Sequence, residues 1–583
     1  MKFVKWFSIL LSIIVLFSIL SAGCRGSSGT QTLSSTSTAA TKPATVVGSS
    51  SPVKTETGIS PAYGGTLTLR ATDLSNISFD PSNPMGFQYS IHIERLFTPD
   101  YNKTPAELLG GWVPIEYYKG RLAESWDQAD PLTIVIKLKR GIHWENRAPT
   151  NGREFTADDV IFNFDRILGT GNGYTEPNGF LASWISNIAQ VTKIDQYSVK
   201  VTLKSPFCLA MYDLVRDIGI GPPESRDIGD NWQQAVGTGP WIMTEFTQSV
   251  SISFKKNPDY YGYDERFPEN KLPYIDNVKW LAIPDKTTFL AALRTYKVDL
   301  CLDVSNSGIT ISDAQSVLRT NPDIKQYIFR TEGPSIVLRV DKQPFNDVRV
   351  RKALQMALDI ESINRSHYGN NAEKPCGVQS PHNLGWSTPF SDWPSDLQDE
   401  YSYNPARAKE LLSEAGYSKG FKTSVVANSG QDLELLQILS SYFKDIGIDM
   451  EIQVMDMPTM MNMVFSGKIE QSHFFNFSGR GGSPWEELSN FRVGNKLNWC
   501  HVDDPEYESI LKSLFNSSTV EEAQKYAKMA ELYELGQHWT INLFQNPIPV
   551  LVAPYINGYT PVQDGDNIAH WWVDQDLRNS YVK

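Results

Sequence analysis

The sequence predicts an α/β protein of more than one domain, on three observations. Its 583 residues exceed one ordinary domain and leave room for roughly two to four. Short alternating runs that suit strands recur beside stretches with the apolar period of helices. One stretch, Val236 to Asp299, reads as a strand pair, a loop, a strand and then a helix that enters a new α/β unit. An apolar content of 41% with 20% charged residues is that of a globular chain able to build sizeable cores.

The chain opens with Lys2 and Lys5 before the uncharged apolar run Trp6 to Leu20, which is short for a spanning helix. Leu20-Ser21-Ala22-Gly23-Cys24 follows and resembles a bacterial lipoprotein signal. That resemblance implies a signal peptide over 1–23, a lipid on Cys24 and a body held at the membrane surface. Ser stands where such signals carry Leu, three places before the Cys. Residues 24–61 are rich in Ser, Thr, Gly and Ala and read as a flexible tether.

Order begins with Leu67, Leu69 and Ala71 alternating as a first strand. Ser90 to Phe97 reads as a helix, with Ile91, Ile93, Leu96 and Phe97 toward a core. Thr133 to Leu138 alternates as a strand. Phe155-Thr156-Ala157-Asp158-Asp159-Val160 opens a helix, with Thr156 as N-cap and Asp159 completing a capping box. Val191 to Leu203 reads as a hairpin. Gly237 and Gly239, either side of Thr238, predict a tight turn with positive φ, and Pro240 forces the exit into extended chain. Val278 to Ile283 reads as a buried strand, Pro284 ends it, and Thr287 or Thr288 caps the helix Phe289 to Tyr296.

Beyond Asp299, Ile336 to Val340 is a strand. A helix then carries the apolar stripe Val350, Ala353, Leu354, Ala357 and Leu358. Tyr403 to Leu412 leads another helix, closed by a Gly416 C-cap. Leu433 to Ile446 is helical and Ile448 to Val454 a strand. Asp504 caps one helix, and Val520 to Leu535 forms a long one. Ile541 to Val552 is apolar and interrupted by Pro547 and Pro549.

Composition excludes several functions. A net charge of −13 argues against nucleic acid as a partner, because phosphate binding needs a basic face. The eight His show no metal-ligand spacing. Cys208, Cys301, Cys376 and Cys500 form no C-x-x-C pair and define no disulfide framework. Neither a metal nor a cofactor is expected. No nucleophile elbow appears, so there is no catalytic residue to name.

The ordered motifs Gly237-Thr238-Gly239-Pro240-Trp241, Asn257-Pro258-Asp259-Tyr260-Tyr261, Pro273-Tyr274-Ile275-Asp276-Asn277-Val278 and Ile283-Pro284-Asp285 resemble those of ABC-importer solute-binding proteins of family 5. That is the peptide, dipeptide and nickel-binding type. Leu122-Ala123-Glu124-Ser125-Trp126 and Phe155 to Val160 add to the resemblance, although the turn Glu145 to Arg153 is longer than the family pattern. The resemblance spans Gly64 to about Thr560.

It implies a two-lobe, type II periplasmic-binding-protein-like fold of the large class, with an extra subdomain and a ligand cleft between hinge-linked lobes. On that basis lobe I is expected over 62–283, with an inserted subdomain at about 86–190. Lobe II is expected over 284–542, and 543–583 returns to lobe I. The implied function is extracytoplasmic capture of a solute, a peptide by default, for a membrane permease. The protein would be a monomer with no catalysis.

The resemblance places ligand contacts at Trp241, Trp485, Asn476, Gln88 and Tyr89. Arg480 falls where the peptide binders carry an Asp that pairs with the peptide's α-amino group. A guanidinium there reverses the sign of the interaction and favours an anionic or hydroxyl-rich solute, such as an oligosaccharide. A second class of reading is an exported carbohydrate-active hydrolase, which needs two carboxylates across a cleft. A third is a ligand-loaded sensor.

Overall fold

The computed structural model describes residues 60–582, apart from 76, 80–90, 101–112, 179–180, 186, 216–217, 230, 303–306, 479–482 and 561–564. Three sheets carry the architecture. The first lobe's sheet has five strands in the order Leu300–Cys301, Thr66–Ala71, Asn277–Ala282, Ser251–Lys256 and Trp241–Thr247. The first three run parallel and the last two join antiparallel. Leu67, Leu69, Val278, Trp280, Ile252 and Phe254 are buried in its core.

A four-stranded antiparallel sheet follows the order Ala123–Asp130, Thr133–Leu138, Ser198–Leu203 and Ile188–Asp195. It forms the subdomain and is closed by the helix Ala157–Leu168. The capping box read from sequence is present: the Thr156 N–H donates to the Asp159 carboxylate at 2.8 Å. The subdomain extends past residue 190, because the hairpin's second strand supplies an inner strand of this sheet.

The second lobe's sheet has the order Ile448–Met455, Phe421–Asn428, Ser472–Ser478, Gly333–Leu338 and Thr540–Asn542. Its first three strands are parallel. Their side chains pack with the helices Val348–Met356 and Leu433–Asp445 in a separate core. The helix Pro505–Phe515 packs beside the long helix Val520–Gln537. As expected, Asp504 caps the former, accepting the N–H groups of Glu506 and Tyr507 at 3.0 and 3.1 Å. Asp504→Ala is expected to cost about 1 kcal/mol, read as a lower urea midpoint with unchanged slope.

Four expectations are corrected. The chain does not leave the first lobe at Pro284. Leu300–Cys301 pairs with the first strand, and Phe289, Leu293, Ala314 and Val317 fill the first lobe's core. The crossing lies later, where Lys325–Thr331 and Asn546–Val552 form an antiparallel ribbon. Pro547 and Pro549 are two apart, so both missing donors fall on one edge, turned away from the partner strand.

Ser90 to Phe97 is not an α-helix over its described part: Ile91 and His92 make a short 3-10 turn and no helix continues beyond them. Residues 91–98 are buried without a break, and Phe97–Pro99 is a strand. A segment enclosed on every side gains nothing from a one-sided helical stripe. The helix Lys286–Arg294 is capped by Asp285, whose carboxylate accepts the Thr288 N–H at 2.7 Å. Lastly, Gly237 and Gly239 are absent from the positive-φ residues. They are glycine because His92 passes against them: a Cβ on Gly237 would lie 1.6 Å from the His92 carbonyl oxygen.

Among the described residues, no helix is long and apolar enough to cross a membrane. Cys208, Cys301, Cys376 and Cys500 are unbridged.

Candidate functional site

The two lobes meet through one apolar cluster. It takes Leu96 to Val236 from the subdomain side, and Val337, Val378, Trp386, Met460, Trp485 and Trp539 from the second lobe. Its contacts across the junction are aromatic. Phe207 and Tyr212 come from the irregular segment after the subdomain hairpin. They meet Trp485 edge-on, with ring centroids at 5.9 and 5.3 Å. Phe207 also reaches Phe515 at 5.8 Å, and Trp386 tilts against Trp485 at 5.4 Å. These spacings are those at which ring quadrupoles attract.

Local structure fixes each ring. Trp485 sits in the first turn of the helix Pro484–Ser489, where Pro484 presets φ. Tyr212 is held by the Ile115 N–H, which donates to its hydroxyl. Burial pushes the Tyr212 hydroxyl far above its usual range and the Cys208 thiol up to about 11, so both stay neutral. The junction is therefore a closed apolar contact with few ionised groups, its four rings Phe207, Tyr212, Trp386 and Trp485 all buried between the lobes.

Beside it lie the carboxyl ends of the three parallel strands of the second lobe, the edge at which open α/β sheets bind ligands. Asn428 ends one strand. Its N–H donates to Gln431 Oε1 at 3.0 Å, and the Gln431 amide donates to the Phe474 carbonyl at 2.7 Å. Met455 ends the next, followed by the Asp456 cap of the helix Met457–Phe465. Asn476, near the end of the third, is half-buried opposite Pro334.

Of the residues expected from sequence, Trp485 is at the junction and Asn476 at the strand edge. Trp241 is a correction. It is wholly buried in the first lobe's core, and its indole N–H donates to the Ile275 carbonyl at 3.1 Å. A ring sealed between the strands of its own lobe has no face left for a solute. Arg480, Gln88, Tyr89 and Cys24 lie outside the described residues. Sequence reasoning missed Phe207, Tyr212 and Trp386. They stand in stretches without helical or strand period, and the one signal near Phe207 is Pro206 ending the hairpin.

Among the described residues, one trio has the composition of a metal site: Asp264, Glu265 and His570. Its carboxylates are already matched by cations. Arg266 donates to Asp264 at 2.8 Å and Lys119 to Glu265 at 2.6 Å. That donor set suits an ion-pair network better than a metal.

The sequence matches the family described as bacterial extracellular solute-binding proteins, family 5 Middle, over residues 118–496. It is 25% identical over 546 residues to heme-binding protein A of Haemophilus influenzae, covering 86% of this chain and 93% of that protein. It is 25% identical over 452 residues to di/tripeptide-binding protein 2 of Pseudomonas aeruginosa, covering 72% and 79%. Among solved structures it resembles the periplasmic binding protein DppA of Helicobacter pylori in complex with the peptide STSA. The TM-score there is 0.70 at 20% identity, over 88% of this chain and 99% of that one. NikA of Brucella suis in complex with Fe(III)-EDTA gives 0.71 at 17% identity, over 88% and 100%. The fold is thus the two-lobe type II binding-protein fold. The chain belongs to family 5 of the bacterial extracellular solute-binding proteins, the extracytoplasmic solute-capturing components of ABC importers.

Proposed function

We propose that this chain captures a peptide-like solute between its lobes, acts by binding and not by chemistry, and delivers the solute as a lipid-anchored monomer. The observation that carries the reading is the aromatic junction. Trp485 of the second lobe faces Phe207 and Tyr212 of the first, beside the carboxyl ends of the parallel strands. These rings are buried against one another across the junction, so a solute that enters as the lobes part meets flat apolar faces that suit peptide side chains. Closure then follows the solute's preference for the state in which both lobes touch it.

Trp485 and Asn476 are the contacts we assign among the described residues; Arg480, Gln88 and Tyr89 are assigned from the family resemblance. Di- and tripeptides are what one relative's name records, which supports the peptide class. The anchor is assigned to Cys24 from its place in the signal sequence.

The test is native mass spectrometry of the mature body purified without refolding. A series of co-purified peptide masses is expected. A single non-peptide ligand, lost in Arg480→Ala, would instead establish an anionic or hydroxylated solute, which the guanidinium at 480 favours. Trp485→Ala is expected to weaken the retained solute by roughly 30-fold or more, about 2 kcal/mol, as for a buried aromatic anchor. Isothermal calorimetry would read that loss, and unchanged affinity would remove Trp485 from the site.

A further inference from the structure

The fourth strand of the second lobe's sheet starts at Gly333, next to the crossing ribbon, and ends at Leu338. Near that far end, the Arg339 guanidinium donates to the Gly467 carbonyl at 3.0 Å. Beside it a cavity of about 340 Å³ opens between the end of the helix Met457–Phe465 and the loop from Val493 to Asp503. That volume falls in the range of small-ligand pockets.

Two chemistries line the cavity. Its apolar wall is Val464, Phe465, Val493 and Trp499. Phe465 and Val493 are each 58% exposed, an unusual state for large apolar groups this close together. Phe465 meets the buried Trp499 edge-on at 6.0 Å. Lys496 and Asp503 also line the cavity, and among the described residues neither is held in an ion pair. Two opposite charges that share one cavity without pairing complement a ligand that carries both signs itself. The third titratable neighbour, His501, is pushed down by burial and by Arg339, so it stays neutral near pH 7 and leaves the charges balanced.

We propose that this cavity is an accessory site for a free α-amino acid with an apolar or aromatic side chain. Its side chain lies against Phe465 and Trp499, its carboxylate on the Lys496 ammonium and its ammonium on the Asp503 carboxylate. The site is separate from the interlobe junction and does not depend on what the junction binds.

The test uses the whole mature chain and 4-fluoro-L-phenylalanine, followed by fluorine NMR. Broadening of the probe signal is expected at millimolar concentration, with shifts of the Val464, Val493 and Val502 methyl signals in methyl-labelled protein. Lys496→Glu and Asp503→Lys are each expected to weaken binding at least tenfold. The same loss is expected for 4-fluorophenylacetate, which lacks the ammonium, and for 4-fluorophenethylamine, which lacks the carboxylate. The proposal is overturned by no broadening up to about 10 mM, a concentration that would fill even a weak site. It is equally overturned by methyl shifts confined to other parts of the chain, or by affinity that survives both charge reversals.

Discussion

Glu94→Ala should lower the stability of the first lobe by about 3–5 kcal/mol, the loss that follows when one partner of a buried ion pair is removed. Glu94 and Arg121 are both buried. The Arg121 guanidinium donates to the Glu94 carboxylate at 2.5 Å. The hydroxyls of Tyr260 and Tyr261 donate to the same oxygen at 3.0 and 3.1 Å. One carboxylate thus ties the segment before the subdomain, the subdomain edge and the Asn257-Pro258-Asp259 turn. Lys139 lies close by, its pKa lowered by burial and by Arg121 and raised by Glu94 and Glu265, so removing Glu94 would take away the nearer of the two carboxylates that offset these cations. A thermal midpoint lower by roughly 10 °C is the expected reading. Glu94→Gln keeps an acceptor and should lose less, and Arg121→Met beside Glu94→Ala should recover part of the loss. An Ala variant within 1 kcal/mol of the parent would show that the network carries no weight.

The second large effect is a gain that depends on pH. Glu531 and Glu534 lie on the long helix Val520–Gln537, and both are about 1% exposed. Glu531 accepts the Ser387 hydroxyl at 2.8 Å and the Thr388 N–H at 2.7 Å, yet burial pushes it up to about 7. Burial, and then Glu531 beside it, push Glu534 up to about 8. In the unfolded chain both ionise near 4.5. Between these values the unfolded state has lost protons that the folded state keeps, so each rise in pH favours unfolding. This share of stability is complete below about pH 4.5, falls as pH rises toward 8 and is flat above. Glu534→Gln removes the Glu534 share of this titration and leaves that of Glu531. It should stabilise the second lobe at pH 8 by a few kcal/mol, on the order of what such displaced carboxyls are worth, and by little at pH 4.5. Midpoints of parent and variant compared across that range test it; a difference that does not change with pH would sink the argument.

What the sequence revealed depended on how local each cause is. The Thr156–Asp159 box and the Val191 to Leu203 hairpin were readable because their partners lie within a few residues. The helix Leu433–Asp445 was readable because its core face repeats. The crossing at Pro284 was misplaced because the apolar face of Lys286–Arg294 says that it packs, not against which sheet. Trp241 and Trp485 look alike in sequence, each beside a proline. What separates them is the core each joins: Trp241 lies within the first lobe, its indole donating to a carbonyl 34 residues away, and Trp485 lies in the cluster that both lobes share. Ser90 to Phe97 failed for a related reason, since neighbours from several segments bury every side of it. Of the candidate contacts, the sequence brought Trp485 to the junction and left its partners Phe207, Tyr212 and Trp386 unmarked.

The crossing ribbon also sets an order of events for a chain that is made and exported from its N-terminus. Asp299, buried in the first lobe, accepts the Thr68 N–H at 2.6 Å and the Tyr555 hydroxyl at 2.5 Å, the latter from 256 residues further on. Arg578 reaches back to the Thr66 carbonyl across 512 residues. The second lobe, by contrast, is contained between the two strands of the ribbon. It has all of its sheet once Thr540–Asn542 has emerged, whereas the lobe that begins the chain must wait for the chain's end. Contacts so distant in sequence form slowly. A molecule clipped just after Val552 would keep a finished second lobe and lose the first, so the integrity of the opening half is guarded by the last thirty or so residues.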